Sequence, residues 1–254
     1  MSDTPQRGTD KTETASARQA AQLRSRLEVA TERLLRTAAG ITDAQAREPS
    51  RLPGWSRGHL LTHIARNADG LRNLLIWART GVETPMYATP DARAEGIAAG
   101  AGRSAADLRT DLETSAIAFA AEAASLADAD WAAAVRGPGG VPHMAWFTLW
   151  RRLSEVEIHH VDLGSGYRPD DWPEAFAKET LTLAADRFTT PDVAAALLVS
   201  ADDASTRRIG PAEAQPELEI AGPTRQLLAW LIGRSTGDEL ATKPAGPLPP
   251  LPAW

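Results

Sequence analysis

The sequence predicts an α+β protein in which an N-terminal four-helix bundle is followed by a smaller C-terminal α+β domain. Apolar residues recur at helical spacing in four long segments of the first two thirds of the chain. After about residue 167 the pattern changes to short strand-like runs that are bounded by turn residues. We expect a disordered arm at residues 1–14, the metal-binding bundle at 15–167, and the small α+β domain with a Pro-rich tail at 168–254.

The four bundle helices can be placed from their apolar positions and their cap residues. The first carries its apolar stripe over residues 20–38. The second begins after the predicted N-cap Ser56, and the third after Ser104, which opens an S-x-x-D capping pattern. The fourth covers about residues 144–163. The unusually long connection at residues 81–102 is a candidate pocket wall.

The small domain is predicted to contain two helices and three strands. Its tail, from residue 243 onward, has five prolines and is expected to lie extended on the surface, held by Leu251 and Trp254. The predicted helices cover about residues 172–188 and 225–233, and the strands about 193–200, 206–209 and 217–220.

Composition limits the functional classes. A chain of 254 residues with 43% hydrophobic content can bury a full core, and its net charge of -6 argues against a basic surface for nucleic acid or anionic lipid. The start has no apolar leader, and no apolar run is long enough to span a bilayer. We therefore expect a cytoplasmic protein, a monomer or weak dimer, that binds a small molecule. Because there are no cysteines, any thiol chemistry requires a separate thiol.

The strongest chemical signal lies in the predicted fourth helix. Glu155 and His159 are four residues apart, so they lie one helical turn apart on the same face and can reach one ion. Together with His63 of the second helix they would supply two imidazoles and one carboxylate, a donor set that binds zinc. Three protein ligands leave the fourth position open, which is typical of catalytic zinc.

Spacing alone leaves two choices open. His59 lies four residues before His63 on the same helix and competes with it as a ligand. The pair Glu157 and His160, three residues apart, likewise competes with the first pair, although His160 belongs to the apolar face, where a packed or capped histidine is the default. A polar stripe is also more often a solvated helix face than a metal site.

Four segments resemble the mycothiol-dependent maleylpyruvate isomerases, whose N-terminal domain is a DinB-like metal-binding four-helix bundle. They are LPGWSRGHLLTH at 52–63, ETPMY at 83–87, EVEIHHVDLG at 155–164 and the pair Gly233 and Arg234. A generic DinB-like bundle shares the histidine positions but lacks the ETPMY loop and the second domain. The similarity extends from about residue 40 to the Pro-rich end.

The resemblance implies zinc held by His63, Glu155 and His159, and a catalytic role for Arg234 in the small domain. It implies mycothiol as the second cofactor, and the sequence does not identify the residues that bind it. The chain departs from the family pattern in its longer N-terminal arm and at Glu157 and His160, which neighbour the expected ligands in sequence.

Two further residues near the expected ligands are candidates for supporting roles. Arg152, one turn before Glu155, is a second catalytic candidate, because a guanidinium near the ion could hold a substrate carboxylate; the alternative is an ion pair, either at the surface or with a residue behind the ligands. Asp162, three residues after His159, could orient that imidazole, or it could be a solvated residue near the helix end.

The activity that the resemblance implies is the cis-trans isomerisation of maleylpyruvate to fumarylpyruvate in gentisate-type degradation of aromatic compounds. Rotation about an intact double bond is far too slow, so a thiolate must add, permit rotation and leave. Two alternatives are a mycothiol S-transferase acting on another electrophile, and a metal-dependent sensor or binding module built on the same helices.

Overall fold

The computed structural model describes residues 6–254 and, from residue 11 onward, their side chains. The chain divides into two compact units, one ending at Ser165 and the other formed by Gly166–Trp254. The predicted α+β class, with a helical N-terminal part and a small C-terminal sheet, is confirmed. The helices are α1 (Gln6–Ala39), α2 (Asp43–Arg47), α3 (Arg57–Thr80), α4 (Ala92–Gly100), α5 (Ala105–Ser125), α6 (Trp146–Asp162), α7 (Glu174–Arg187) and α8 (Thr224–Leu231). The strands are β1 (Ala134–Arg136), β2 (Pro142–Met144), β3 (Ala196–Ser200), β4 (Thr206–Ile209), β5 (Leu218–Gly222) and β6 (Ala241–Lys243).

Helices α1, α3, α5 and α6 form the bundle of the first unit. Helix α3 packs against α5 and α6, and α1 packs against the same two helices, so four apolar faces share one core. The core is closed by fully buried leucines and isoleucines from all four helices: Leu23, Leu34, Leu60, Ile64, Leu71, Leu108, Leu112, Leu149 and Leu153. The helical spacing of these residues is therefore explained by burial.

Both predicted N-caps are present. The Ser56 hydroxyl accepts a hydrogen bond from the backbone N–H of His59 at 3.3 Å, and the Ser56 N–H donates to His59 Nδ1 at 3.3 Å. Ser104 Oγ accepts from the backbone N–H of Asp107 at 3.1 Å. These bonds satisfy amides that have no partner inside the helix, and they fix where α3 and α5 begin.

The N-terminal arm differs from its prediction. Its first five residues lie outside the described residues, and residues 6–14 form the first turns of α1, where no helix was predicted. Ser16, in the following turns, is buried, and its hydroxyl lies 3.7 Å from Met144 Sδ. Contact of this part of α1 with the chain just before α6 supports the helix, which then continues through polar residues because each added residue completes another backbone hydrogen bond.

The connection between α3 and α5 is not a simple loop, because it contains α4. The C-terminal end of α4 lies directly against the start of α3. A Cβ at Gly58 would overlap the carbonyl oxygen of Ala101, which follows the last residue of α4. Glycine at position 58 therefore permits the close approach that positions α4. Farther along the chain, His143 lies on β2, which pairs antiparallel with β1.

The second unit is a mixed sheet with two helices. The strand order is β4-β3-β5-β6, with β3 and β5 parallel and the other neighbours antiparallel. Three of the four strands were predicted; β6, three residues long beside the Pro-rich tail, was not. The tail ends as expected against the unit, since the Trp254 ring lies 6.0 Å from Phe188 and 5.2 Å from the Arg187 guanidinium. None of the helices in the described part of the chain could cross a membrane.

The close approach at Gly58 generates a stability prediction. Gly58→Ala should lower the free energy of unfolding by about 1–3 kcal/mol, because the new methyl group meets backbone that cannot move aside. The matched control is Gly102→Ala, whose Cβ would meet no atom within 4 Å and should be near neutral. Urea unfolding of both variants measures the difference. A stabilised Gly58→Ala, as helix propensity alone would give, would contradict the packing argument.

Candidate metal centre

Three side chains from α3 and α6 converge on one point. His63 Nε2 lies 3.0 Å from Glu155 Oε2 and 3.1 Å from His159 Nε2, and Glu155 Oε2 lies 3.2 Å from His159 Nε2. Among the described residues, this is the group of histidine and acidic side chains whose ligand atoms come within 4.8 Å of one another. The i,i+4 spacing on α6 provides two of these atoms, and the packing of α3 on α6 brings the third.

The donor atoms fit a single zinc-sized ion. Ligand atoms that each lie about 2.0–2.1 Å from a tetrahedral zinc are separated by about 3.3 Å. The three observed separations are close to that value, and two imidazole nitrogens with one carboxylate oxygen form a recognised catalytic zinc donor set. His63 is buried, while Glu155 and His159 are partly exposed, so a fourth ligand can approach from one side.

Protonation of the three groups is strongly coupled. Burial would raise the pKa of Glu155, but hydrogen bonds from His159 and His63 outweigh it and hold that pKa well below its usual range. Burial lowers the pKa of His63. Burial also disfavours charge on His159, yet hydrogen bonds with Asp162 and Glu155 raise its pKa to about 9. A proton on His159 therefore occupies the position that a metal ion would take.

The outer nitrogens of the two imidazoles have opposite neighbours. His159 Nδ1 lies 2.9 Å from Oδ2 of Asp162, a side chain that is only 2% exposed, so Asp162 is a buried acceptor and the solvated alternative is wrong. This carboxylate-histidine arrangement fixes the ring so that Nε2 faces the site. His63 Nδ1 instead lies 3.4 Å from Nη2 of Arg93, on α4. The sequence predicted this connection as a candidate pocket wall, but it did not identify Arg93 as a neighbour of His63.

The other histidines considered as ligands form hydrogen bonds elsewhere in the bundle. His59 Nδ1 lies 2.8 Å from the Ser56 hydroxyl, as part of the cap of α3. His160 Nε2 lies 2.7 Å from Thr37 Oγ1. Glu157, 1% exposed, accepts from Arg33 at 2.7 Å. The two departures from the family pattern therefore contact α1, and neither belongs to the converging group.

The Arg152 side chain is buried between α3 and α6. Its side chain is 2% exposed, and Nη1 donates to the Ile64 carbonyl oxygen at 2.7 Å and to Asn67 Oδ1 at 2.9 Å. Burial lowers its pKa to about 10, so it remains cationic at neutral pH. The surface ion pair suggested as its alternative role is wrong; Arg152 joins α6 to the α3 backbone beside His63.

Arg234 lies in the second unit, directly after α8. Gly233 adopts a left-handed φ of 73°, which turns the chain, and Arg234 Nη1 donates to the Ile232 carbonyl oxygen at 2.7 Å. The side chain is half-buried. This contact with a carbonyl at the helix end is favourable by itself, since cations stabilise the C-terminal end of a helix.

Comparisons with known proteins agree along both units. The family profile described as Mycothiol maleylpyruvate isomerase N-terminal domain matches residues 27–164, and the MDMPI C-terminal domain matches residues 171–253. A crystal structure of the mycothiol-dependent maleylpyruvate isomerase superimposes with a TM-score of 0.84 at 29% identity, covering 92% of this chain and 97% of that chain. A histidine-to-alanine mutant of that isomerase gives the same values. No curated protein matches by sequence.

The converging geometry predicts which side chains hold a metal ion. Alanine at His63, Glu155 or His159 should remove most bound zinc, because each removes one of three donors, while the helical content survives on the apolar core. His59→Ala is the matched control on the same helix and should keep its zinc. Elemental analysis and circular dichroism measure the two effects. Full zinc occupancy in His63→Ala, or its loss in His59→Ala, would reverse the assignment.

Proposed function

The chain belongs to the mycothiol maleylpyruvate isomerase family, and on that premise we propose that it catalyses the cis-trans isomerisation of maleylpyruvate to fumarylpyruvate with zinc and mycothiol as cofactors. The observation that carries the proposal is the convergence of two imidazole nitrogens and one carboxylate oxygen with a side open to a fourth ligand. We further propose that it acts in the cytoplasm in the gentisate-type degradation of aromatic compounds.

The chemistry requires an external thiol, since the chain contains no cysteine. When bound, zinc would lower the pKa of a coordinated thiol, and mycothiol would supply the nucleophile for reversible addition to the double bond. His63, Glu155 and His159 would hold the ion. Asp162 would keep the proton of His159 on Nδ1, so that the lone pair of Nε2 stays available to bind the ion.

Arg152 is proposed as a positioning residue. Its two hydrogen bonds to α3 lie beside the position of His63, and it belongs to the same helix as Glu155 and His159. It therefore holds the two ligand-bearing helices in register. Its burial removes the support for the direct contact with a substrate carboxylate considered from the sequence.

Arg234 is proposed as the residue of the second unit that binds a substrate carboxylate during turnover. A guanidinium offers two parallel N–H donors that match a carboxylate, and it stabilises negative charge as an enolate develops. The family resemblance at positions 233 and 234 supports this role. The competing role is the helix-end contact with Ile232, which needs no substrate.

A mycothiol S-transferase is the second candidate, because the same donor set activates a thiol for either reaction. A sensor or binding module is less well supported, since the partly exposed side of the triad has no purpose there.

The isomerase and transferase proposals differ in thiol stoichiometry. An isomerase regenerates mycothiol in every cycle, so one equivalent of thiol per enzyme should support many turnovers of maleylpyruvate. Mass spectrometry of the reaction mixture counts free thiol and product together. A thioether that accumulates in step with substrate loss would identify a transferase.

The role of Arg234 can be separated from its structural contact. Arg234→Ala should abolish turnover. Arg234→Lys should impair it markedly, because the positive charge remains but the two parallel N–H donors of the guanidinium are lost. Zinc content should not change. A purely structural role predicts a loss of about 0.3–1 kcal/mol of stability with turnover retained. Arg225→Ala is the matched control, since Arg225 also donates to a carbonyl, that of Trp172, at 2.6 Å. Kinetics and a thermal melt distinguish the two roles.

A further inference from the structure

Two arginines beside the candidate metal centre have no carboxylate partner. Arg93 lies on α4 with its Nη2 3.4 Å from His63 Nδ1, and Arg151 lies on α6 one helical turn before Glu155. Burial raises the pKa of the Tyr87 phenol, and the charges of both guanidinium groups oppose that shift. No carboxylate among the described residues forms an ion pair with either guanidinium. The chain is acidic overall, with 33 acidic and 27 basic residues, so this local positive charge does not belong to a generally basic surface.

The Arg93 guanidinium lies over an aromatic ring that does not neutralise it. Its Cζ is 5.9 Å from the centre of the Trp55 ring. Trp55 in turn packs edge-on against His63 at 5.4 Å between ring centres. A cation fixed over an aromatic face keeps its full charge and loses little conformational freedom when it binds a ligand.

Loading the metal site would leave Arg93 without an acceptor at His63. An imidazole that coordinates through Nε2 carries its proton on Nδ1, and a guanidinium has only N–H donors. Arg93 Nη2 and His63 Nδ1, which are 3.4 Å apart, would then be two hydrogen-bond donors facing each other. The guanidinium is thus available to an anionic ligand, in contrast to Asp162, which satisfies the equivalent nitrogen of His159.

Arg151 adds a second donor group on the helix that carries Glu155 and His159. It is half-buried, and burial lowers its pKa while the negative charge of Glu155 opposes that shift. Space for its guanidinium depends on Gly137, where a Cβ would overlap Arg151 Nη1. A partly desolvated guanidinium binds a carboxylate more strongly than an exposed one does.

We propose that Arg93 and Arg151 bind the carboxylates of a short unsaturated dicarboxylate, and so select a dianion over a monoanion. The proposal rests on the proposed function, whose substrate carries two carboxylates, whereas mycothiol carries none. The Tyr87 hydroxyl is a further polar group near both guanidinium groups, whose charges oppose the effect of burial on its pKa. Asn73 holds its loop, donating to the Pro85 carbonyl at 3.2 Å.

The test is binding without turnover. Zinc-loaded full-length protein, with no thiol present, is titrated by calorimetry with maleate and with isocrotonate, which has a methyl group in place of one carboxylate. Arg93→Gln and Arg151→Gln should each weaken maleate binding by about tenfold or more, since a hydrogen bond to a charged group is lost. The double variant should lose the preference for maleate over isocrotonate, with zinc content unchanged.

The matched control is Arg79→Gln, which removes one positive charge from the same helix as His63 at a distance of roughly 24 Å, at 1.5 Å per residue. It should bind both acids as the unchanged protein does. Arg93→Lys, which retains charge without the fork, should bind maleate with intermediate affinity.

The outcomes separate this inference from the proposed function. Maleate affinity that is unchanged in both glutamine variants, or equal losses for maleate and isocrotonate, would overturn the subsite even if the protein isomerises maleylpyruvate. Dependence of maleate affinity on both arginines would support the subsite even if no isomerisation is found.

Discussion

The packing of α3 on α6 is the constraint on which the candidate centre depends. His63 comes from one helix, and Glu155 and His159 from the other, so the three ligand atoms meet only if these helices keep one separation and one register. Arg152 fixes both, because its hydrogen bonds run from α6 to the backbone and side chain of α3. Breaking this link would leave a buried cation without partners, which costs far more than the loss of an exposed ion pair.

The two imidazoles of the centre have neighbours of opposite charge. Asp162 places a negative charge behind His159, while Arg93 places a positive charge behind His63. The first increases the donor strength of an imidazole, and the second favours anions near the open side. Charge is therefore distributed so that the bundle can both retain a cation and attract an anion, a combination that uniform surface charge could not provide.

Local sequence predicted the features that depend on neighbours along the chain. Ser56 and Ser104 were identifiable as caps because a cap bonds to a residue three positions away, and Glu155 with His159 because one helical turn separates them. The choice of His63 over His59 needed the family resemblance or the structure, since both share a helix and only packing shows that His59 serves the cap. Arg93 and Arg151 were missed from the sequence. Arg93 reaches His63 only because α4 packs against α3, which no local spacing shows. The helical start of α1 was missed because its polar residues carry no apolar period.

The central claim is that three protein side chains hold a metal ion whose remaining position accepts the thiol of mycothiol. X-ray absorption at the zinc edge tests this directly on the zinc-loaded protein. We predict nitrogen and oxygen scatterers alone at about 2.0–2.1 Å without thiol, and one added sulfur at about 2.3 Å when mycothiol is present. The sulfur signal should be absent with the S-methylated thiol. An unchanged spectrum on adding mycothiol, or a site already filled by a fourth protein ligand, would contradict the account.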